Sequence, residues 1–354
     1  MSRCFLFKPD GIGDFFLSTG VVRLLGREFG EENLTIAVLP VLEPVVKGQF
    51  PRASVITLPI RKRRVLLNVF VANCLRCFPA WTTLIGTKAE VSISLRHMRD
   101  YLQNILFYSV RSRRRIVASN LLLGNGRPVR RWTEKAFLWI FGPEVVSYPE
   151  NSAEGIPSEL ETNRRIVSLA LGREVKICEI WPELKPLRPS SSGKAYHVCA
   201  PFSSGPGKDF PLERWVGLFM ELESRGKLPS LCLVGSSDQS DRLVGFLELL
   251  GKSSSAIAAK TQVVTPGDLQ EFIDFLSGAE CVFTVDTAAA HAASALDCRT
   301  LVLYSGLHQG MFAPWVRSSR QCWAIPKQTA KSTPWHDSWT NAEILEFTET
   351  VLGS

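Results

Sequence analysis

Three short stretches of this 354-residue chain place acidic, cationic and hydroxyl residues at spacings suited to holding a phosphorylated small molecule. In VFTVDTAAAHAASAL, residues 282–296, an apolar run ends in Asp286 and passes directly into a helix-forming run of small residues. A strand there delivers Asp286 to the rim of a parallel sheet, and the free backbone N–H groups of Thr287, Ala288 and Ala289 face outward as an anion site. The same pattern also fits an ordinary strand-to-helix turn with Asp286 as its N-cap. His291, one turn further on, is either a partner of that site or a packed structural histidine.

The second stretch is APFSSGPGKDFPLERW, residues 200–215. Ser203 and Ser204 precede Lys208 by five and four positions on a Gly- and Pro-rich loop, and hydroxyls gathered with an ammonium make a phosphate grip. A lone loop lysine, by contrast, is ordinarily just solvated. The third stretch is KPDGIGDFFLSTG, residues 8–20, where Gly11 and Gly13 follow a strand and Asp14 heads a helix. A helix N-terminus keeps such a carboxylate ionised, which suits a general base and equally a cap. The glycines do not make a dinucleotide fingerprint, because Phe16 stands where the third glycine is required.

The elements that must position these residues follow from the apolar periodicity. Residues 3–8, 34–39, 55–58, 91–95 and 116–118 read as strands of a first series, with a helix over 15–29. Residues 196–200, 231–234, 281–285 and 300–304 read as strands of a second series, with helices over 212–224, 240–250 and 269–278. The Pro- and Ser-rich stretch WPELKPLRPSSSGK, residues 181–194, reads as the linker between them. The expectation is α/β, with two Rossmann-like doubly wound domains.

Composition narrows the classes of partner. Residues 1–190 carry 28 Lys and Arg against 17 Asp and Glu, a balance of +11, whereas residues 191–354 carry 13 against 17, a balance of −4. Basic clusters at 61–64, 111–115 (RSRRR) and 127–131 (RPVRR) point the first half toward an anionic partner, although any single cluster is ordinarily solvated surface. Nucleic acid is disfavoured, since RSRRR and RPVRR hold no aromatic residue on which a base could stack. The apolar stretch 65–86 is interrupted by Asn68, Asn73, Arg76 and Pro79, so it reads as a core helix in preference to an interfacial one and not as a span. Nine scattered cysteines without a leader-like start fit a reduced, cytoplasmic compartment and buried thiols. The lone C-x-x-C of Cys74 and Cys77 has no second pair or His cluster at metal-site spacing.

Taken together and in order, the GIGD turn, the SSGPGKDFPLERW loop and VDTAAAHAASAL resemble three motifs of glycosyltransferase family 9, the heptosyltransferases of lipopolysaccharide assembly: an N-terminal Gly-Asp motif, a phosphate-binding Lys loop and an Asp-Thr-Gly-x-x-His signature. The resemblance runs over most of the chain. It implies a GT-B architecture with a central cleft: an acceptor-binding domain over 1–185, a nucleotide-sugar domain over 190–335, and a terminal helix within 336–354 crossing back to the first domain. It further implies inverting transfer, of heptose from ADP-heptose in the family's usual reaction, to an anionic lipopolysaccharide core or related glycan, at the cytoplasmic face of the inner membrane with peripheral attachment. Asp14 is then the base. Ser203, Ser204, Lys208, Asp286, Thr287, Ala288, Ala289 and His291 hold the donor, Gly13 and Arg96 meet the acceptor, and no metal or other cofactor is needed. The sequence departs from the family pattern in three places: Ala288 replaces a usual glycine, YSGLHQ (304–309) replaces a Gly-Pro-Thr turn, and the loop GSSDQSDR offers only Asp238 or Asp241 for a nucleotide-contacting acid. A GT-B transferase of another nucleotide sugar, or a non-catalytic nucleotide-sugar-binding scaffold, is the alternative.

Overall fold

The structure, a computed structural model, describes residues 3–60, 67–96, 99–119, 128–147, 157–188, 195–205, 207–307, 309–327 and 334–353. The basic run 61–64 lies outside these residues, as do Arg127 and the side chains of the rest of the 127–131 cluster. The chain divides into two compact units, Met1–Pro182 with Gly310–Phe312, and Glu183–Gln309 with Ala313–Ser354.

In the first unit the elements are β1 (Cys4–Phe7), α1 (Ile12–Phe16), α2 (Thr19–Phe29), β2 (Leu34–Val38), α3 (Glu43–Gln49), β3 (Ser54–Thr57), α4 (Leu67–Gly86), β4 (Lys88–Ser94), α5 (Tyr101–Tyr108), β5 (Arg111–Ser119), α6 (Pro128–Phe141), β6 (Glu144–Ser147) and α7 (Ser158–Leu171). The second unit has β7 (His197–Ala200), α8 (Leu212–Ser224), β8 (Leu231–Val234), α9 (Ser240–Ser253), α10 (Ser255–Ala259), β9 (Thr261–Val264), α11 (Leu269–Ser277), β10 (Cys281–Val285), α12 (Ala288–Ala295), β11 (Thr300–Leu303), β12 (Gln321–Ala324) and α13 (Asn341–Leu352).

The two six-stranded sheets run β3-β2-β1-β4-β5-β6 and β12-β11-β10-β7-β8-β9, and the strand pairs are parallel throughout. Each is the doubly wound order, in which the first and fourth strands lie side by side and the chain leaves them in opposite directions. That leaves a crevice at their carboxyl ends. The crevice falls between β1 and β4 in one unit, and between β7 and β10 in the other.

The central strands are continuously apolar because both of their faces are covered; β1, β7, β8, β10 and β11 are buried along their whole length. Helices α4, α5 and α6 cover the first sheet through Cys77, Leu84, Leu106, Phe107 and Phe137, packed on Phe5, Phe7 and Val117. In the second unit Trp215, Phe219, Phe283 and Leu303 form the core, and α13 adds Ile344 and Val351 to it. Among the described residues no helix is long and apolar enough to cross a membrane.

Several expectations change. The helix expected over 15–29 is two helices, α1 and α2, broken where Ser18 donates its hydroxyl to the Asp14 carbonyl (3.1 Å). RSRRR forms the first half of β5, with Arg111, Arg113 and Arg114 exposed on the strand. Arg114 pairs with Glu144 at 2.9 Å and donates to the Leu169 and Ala170 carbonyls, satisfying the open C-terminal end of α7. Arg115 donates to the Val110 carbonyl. The cysteines are all free, most of them buried, but Cys178 is exposed.

Candidate active site

In the second unit, β7 and β10 end side by side, and Thr284 ties them by donating its hydroxyl to the Ala200 carbonyl at 2.9 Å. The loop after β7 then carries Lys208 to the end of β10, where its ammonium meets the Asp286 carboxylate at 2.7 Å. This pair spans the topological crevice of the sheet. Asp286 is 8% exposed and the Lys208 side chain 21%, so both are partly withdrawn from water but reachable.

Asp286 is not the cap of α12. Thr287 takes that role with extended backbone, and its hydroxyl accepts from the Ala289 amide at 3.1 Å. The expectation of three open amides is therefore corrected, because the Ala289 N–H is already satisfied by the cap. The Thr287 and Ala288 amides have no partner among the described residues. Ala288 has ordinary helical geometry, so replacing the family's glycine strains nothing in the backbone.

His291 lies on the same helix, buried, and its Nδ1 accepts from the Trp315 indole N–H at 3.0 Å. Its ring is near-parallel to Trp315 and tilted against Trp323. Burial pushes its pKa down to about 4, against the Asp286 charge, which acts to raise it. The imidazole is therefore neutral, and with Nδ1 accepting, its proton resides on Nε2. Its recorded bond is to Trp315, not to the Asp286 carboxylate it was expected to orient.

The Lys208 loop is held from below by a residue the sequence reading passed over. Asp209 accepts from the Ser203 amide at 2.7 Å and pairs with Arg242 at 2.6 Å. The Trp335 indole donates to the Gly207 carbonyl at 2.8 Å, and Gly207 itself adopts φ +78°, which glycine accepts without a Cβ clash. Ser203 is buried and donates its hydroxyl to the Gly205 carbonyl at 2.7 Å, whereas Ser204 is exposed. Of the two expected hydroxyls, Ser204 is the one that faces solvent. Asp238 and Asp241 are both exposed.

In the first unit the GIGD turn also stands at the sheet crevice. Lys8, at the end of β1, is buried and bonds Glu159 at 2.7 Å and Asp10 at 3.1 Å. Burial acts to lower its pKa, but Glu159, Asp10 and Asp14 outweigh it and raise it, so the ammonium stays charged. Arg96, just beyond β4, donates to the Asp10 carboxylate and to the Pro9 carbonyl. It thereby clamps the turn from the neighbouring strand, and its expected acceptor contact would have to share that carboxylate. Asp14 and Gly13 lie half-buried in α1, with Asp14 near enough to Lys8 for its charge to matter. Lys8 and Asp10 were in view inside the same motif. Glu159 is 151 residues from Lys8, and only the fold brings it there. Among the described residues no three His, Cys, Asp or Glu side chains group as they would around a metal ion.

The family model described as glycosyltransferase family 9 (heptosyltransferase) matches residues 171–339. No curated protein matches the chain in sequence. Among solved structures, ADP-heptose lps heptosyltransferase II of E. coli is 16% identical over 99% of this chain and 98% of its own, with a TM-score of 0.69. E. coli heptosyltransferase WaaC with ADP is 13% identical over 98% and 99%, with a TM-score of 0.70. A glycosyl transferase family 9 structure from Veillonella parvula is 11% identical over 99% and 97%, also at 0.70. At these identities the likeness is one of fold, the two parallel sheets of the GT-B heptosyltransferases. The family match is confined to residues 171–339, and over that stretch the chain carries a domain similar to glycosyltransferase family 9 (heptosyltransferase).

Proposed function

We propose that this protein transfers a sugar, heptose in the first instance, from a nucleotide-diphosphate donor to a hydroxyl of an anionic lipopolysaccharide core or related surface glycan, with inversion and without a metal ion. The observation that carries the donor half is the Lys208–Asp286 pair across the crevice of the second sheet, beside the open Thr287 and Ala288 amides at the head of α12. A helix N-terminus with an adjacent ammonium stabilises the charge that grows on a departing diphosphate. Lys208, Ser204 and these amides serve that purpose in this reading, and Asp286 accepts hydrogen bonds from donor-sugar hydroxyls. His291, fixed by Trp315, offers its Nε2–H as a neutral donor. ADP is the first nucleotide to test, because the similarly folded WaaC structures contain ADP and ADP-2-deoxy-2-fluoro heptose.

On the first unit, Asp14 takes the proton of the attacking acceptor hydroxyl, and the bond to the anomeric carbon forms as the bond to the diphosphate breaks. Lys8 and Arg96 hold the turn that carries it. The basic excess of the first half, and an acceptor that is a lipid, are consistent with work at the cytoplasmic surface of a membrane.

The test is calorimetric binding of ADP, UDP, GDP and their sugars, with and without chelator. ADP and ADP-heptose should bind most tightly and be indifferent to chelator. Binding of no nucleotide would sink the donor site, tighter binding of a different nucleotide would reassign the donor, and a strict divalent-metal requirement would contradict the phosphate grip. Asp14→Asn should abolish transfer while leaving donor affinity intact; normal turnover would remove Asp14 from the role of base.

A further inference from the structure

Helices α4, α5 and α6 bury one side on the first sheet, and their other side has an unusual composition for a surface in water. On α4, Leu75 (71% exposed), Phe78 and Ile85 recur at the three- and seven-residue spacings of a single helix face. On α6, Trp132 (72% exposed) and Trp139 (86% exposed) stand two turns apart, with Ile140 beside them. The two helices flank α5, so these side chains belong to one layer. The expectation of a core helix over 65–86 thus holds for the face bearing Cys77 and Leu84 only.

The charge on this layer is of one sign. Arg76 is the sole charged residue of α4 and is exposed, and α5 has none. On α6 Lys135 is exposed, whereas Glu134 is turned inward, where it accepts from the Ser119 hydroxyl at 3.1 Å and pairs with Arg99 at 3.6 Å. Among the described side chains of the three helices, no carboxylate faces water. Asp100, exposed just before α5, is occupied in capping that helix by accepting from the Gln103 amide at 2.8 Å.

Exposed tryptophan, leucine and phenylalanine on helices whose exposed charges are cationic are the composition of a surface that lies in the plane of an anionic bilayer, with rings and aliphatic chains at headgroup depth and cations against phosphates. We propose that the outer face of α4 and α6 docks this protein on an anionic lipid surface. The inference stands on this face alone and does not depend on the reaction proposed above.

Sedimentation of the full chain with vesicles tests it. Wild type should co-sediment with phosphatidylglycerol-containing vesicles in preference to pure phosphatidylcholine, with a blue shift in tryptophan emission and weakening as salt rises. The double variant Trp132→Ser/Trp139→Ser should lose roughly ten-fold or more in partitioning, and Arg76→Glu/Lys135→Glu should lose most of the preference for anionic lipid. All four residues are exposed, so thermal melting and nucleotide binding of these variants should match wild type, which separates this inference from the donor site. Equal partitioning of wild type and variants, or no binding to anionic vesicles, would overturn it. So would a concentration-dependent dimer in sedimentation velocity that the tryptophan variant abolishes, since the face would then belong to a second copy of the chain.

Discussion

Acidification from pH 7 to pH 5 should weaken the second unit through His291, and the size of the effect follows from its surroundings. In the folded chain the imidazole is buried, its Nδ1 is occupied by the Trp315 N–H at 3.0 Å, and its pKa lies near 4 in place of the ordinary 6.5. Protonating Nδ1 would set two donors against each other, and charging the ring would place a cation in a dry aromatic setting beside Lys208. The unfolded chain, free of these costs, takes up the proton first. Stability therefore falls as pH drops through 6.5 toward 4, and the loss levels off below that. At about 1.4 kcal/mol per decade the full penalty is roughly 3 kcal/mol, of which about 2 kcal/mol is incurred by pH 5. His291→Asn keeps an acceptor near the Nδ1 position and removes the titration. Urea unfolding of wild type and variant at pH 7, 6 and 5 should show the stability gap between them shifting by about 2 kcal/mol in favour of the variant at pH 5. A gap that stays constant across this range would refute the account of a neutral, buried His291.

Other consequences are simpler to state. Lys208→Ala should weaken ADP binding by roughly ten- to a hundred-fold, the range expected for losing one charge-assisted hydrogen bond; unchanged affinity in calorimetry would remove Lys208 from the donor site. Asp209→Ala releases the Ser203 amide and Arg242 together, and should raise the ADP dissociation constant by about three- to ten-fold, with Asp209→Asn recovering part of the loss; equal affinities for all three proteins would show that the loop needs no such support. Gly20→Ala would place a Cβ 2.1 Å from the Ile180 carbonyl oxygen, where backbone must move, and should destabilise the first unit by about 1–3 kcal/mol. An unchanged melting profile would mean that the close approach of α2 to this segment is not maintained in solution.

Much of the fold is legible in local pattern because the central strands of a parallel sheet are covered on both faces and must be apolar throughout. The runs FLF, TIAV, LCLV, CVFTV and TLVL announce themselves for that reason. The strands that escaped, β6, β9 and β12, are all at sheet edges, where one side faces no neighbour and the sequence is free to read EVVS, TQVV or QCWA. RSRRR escaped as a strand for a related reason: pairing with β4 continues past the buried part of β5, so charge there says nothing against strand.

The chemistry was legible to the same degree as its motifs were local. Residue types in local motifs put Lys208, Asp286, Asp14 and His291 forward: Asp286 ends an apolar run, Lys208 and Asp14 stand in the Gly-containing segments that follow strands, and His291 lies one turn beyond Asp286. Whether Asp286 caps α12 or meets a ligand was not in the sequence. The adjacent Thr287 takes the cap, and the parallel placement of β7 beside β10 brings Lys208 across 78 residues to the freed carboxylate. Glu159 on Lys8 and Trp315 on His291 are decided in the same way, since hydrogen-bond partners distant in sequence are chosen by topology and leave no local signature. Local pattern sets which groups are available and at which sheet rim they stand. Which of them are already occupied is settled on folding, because burial and pairing are properties of neighbours that the chain acquires only then.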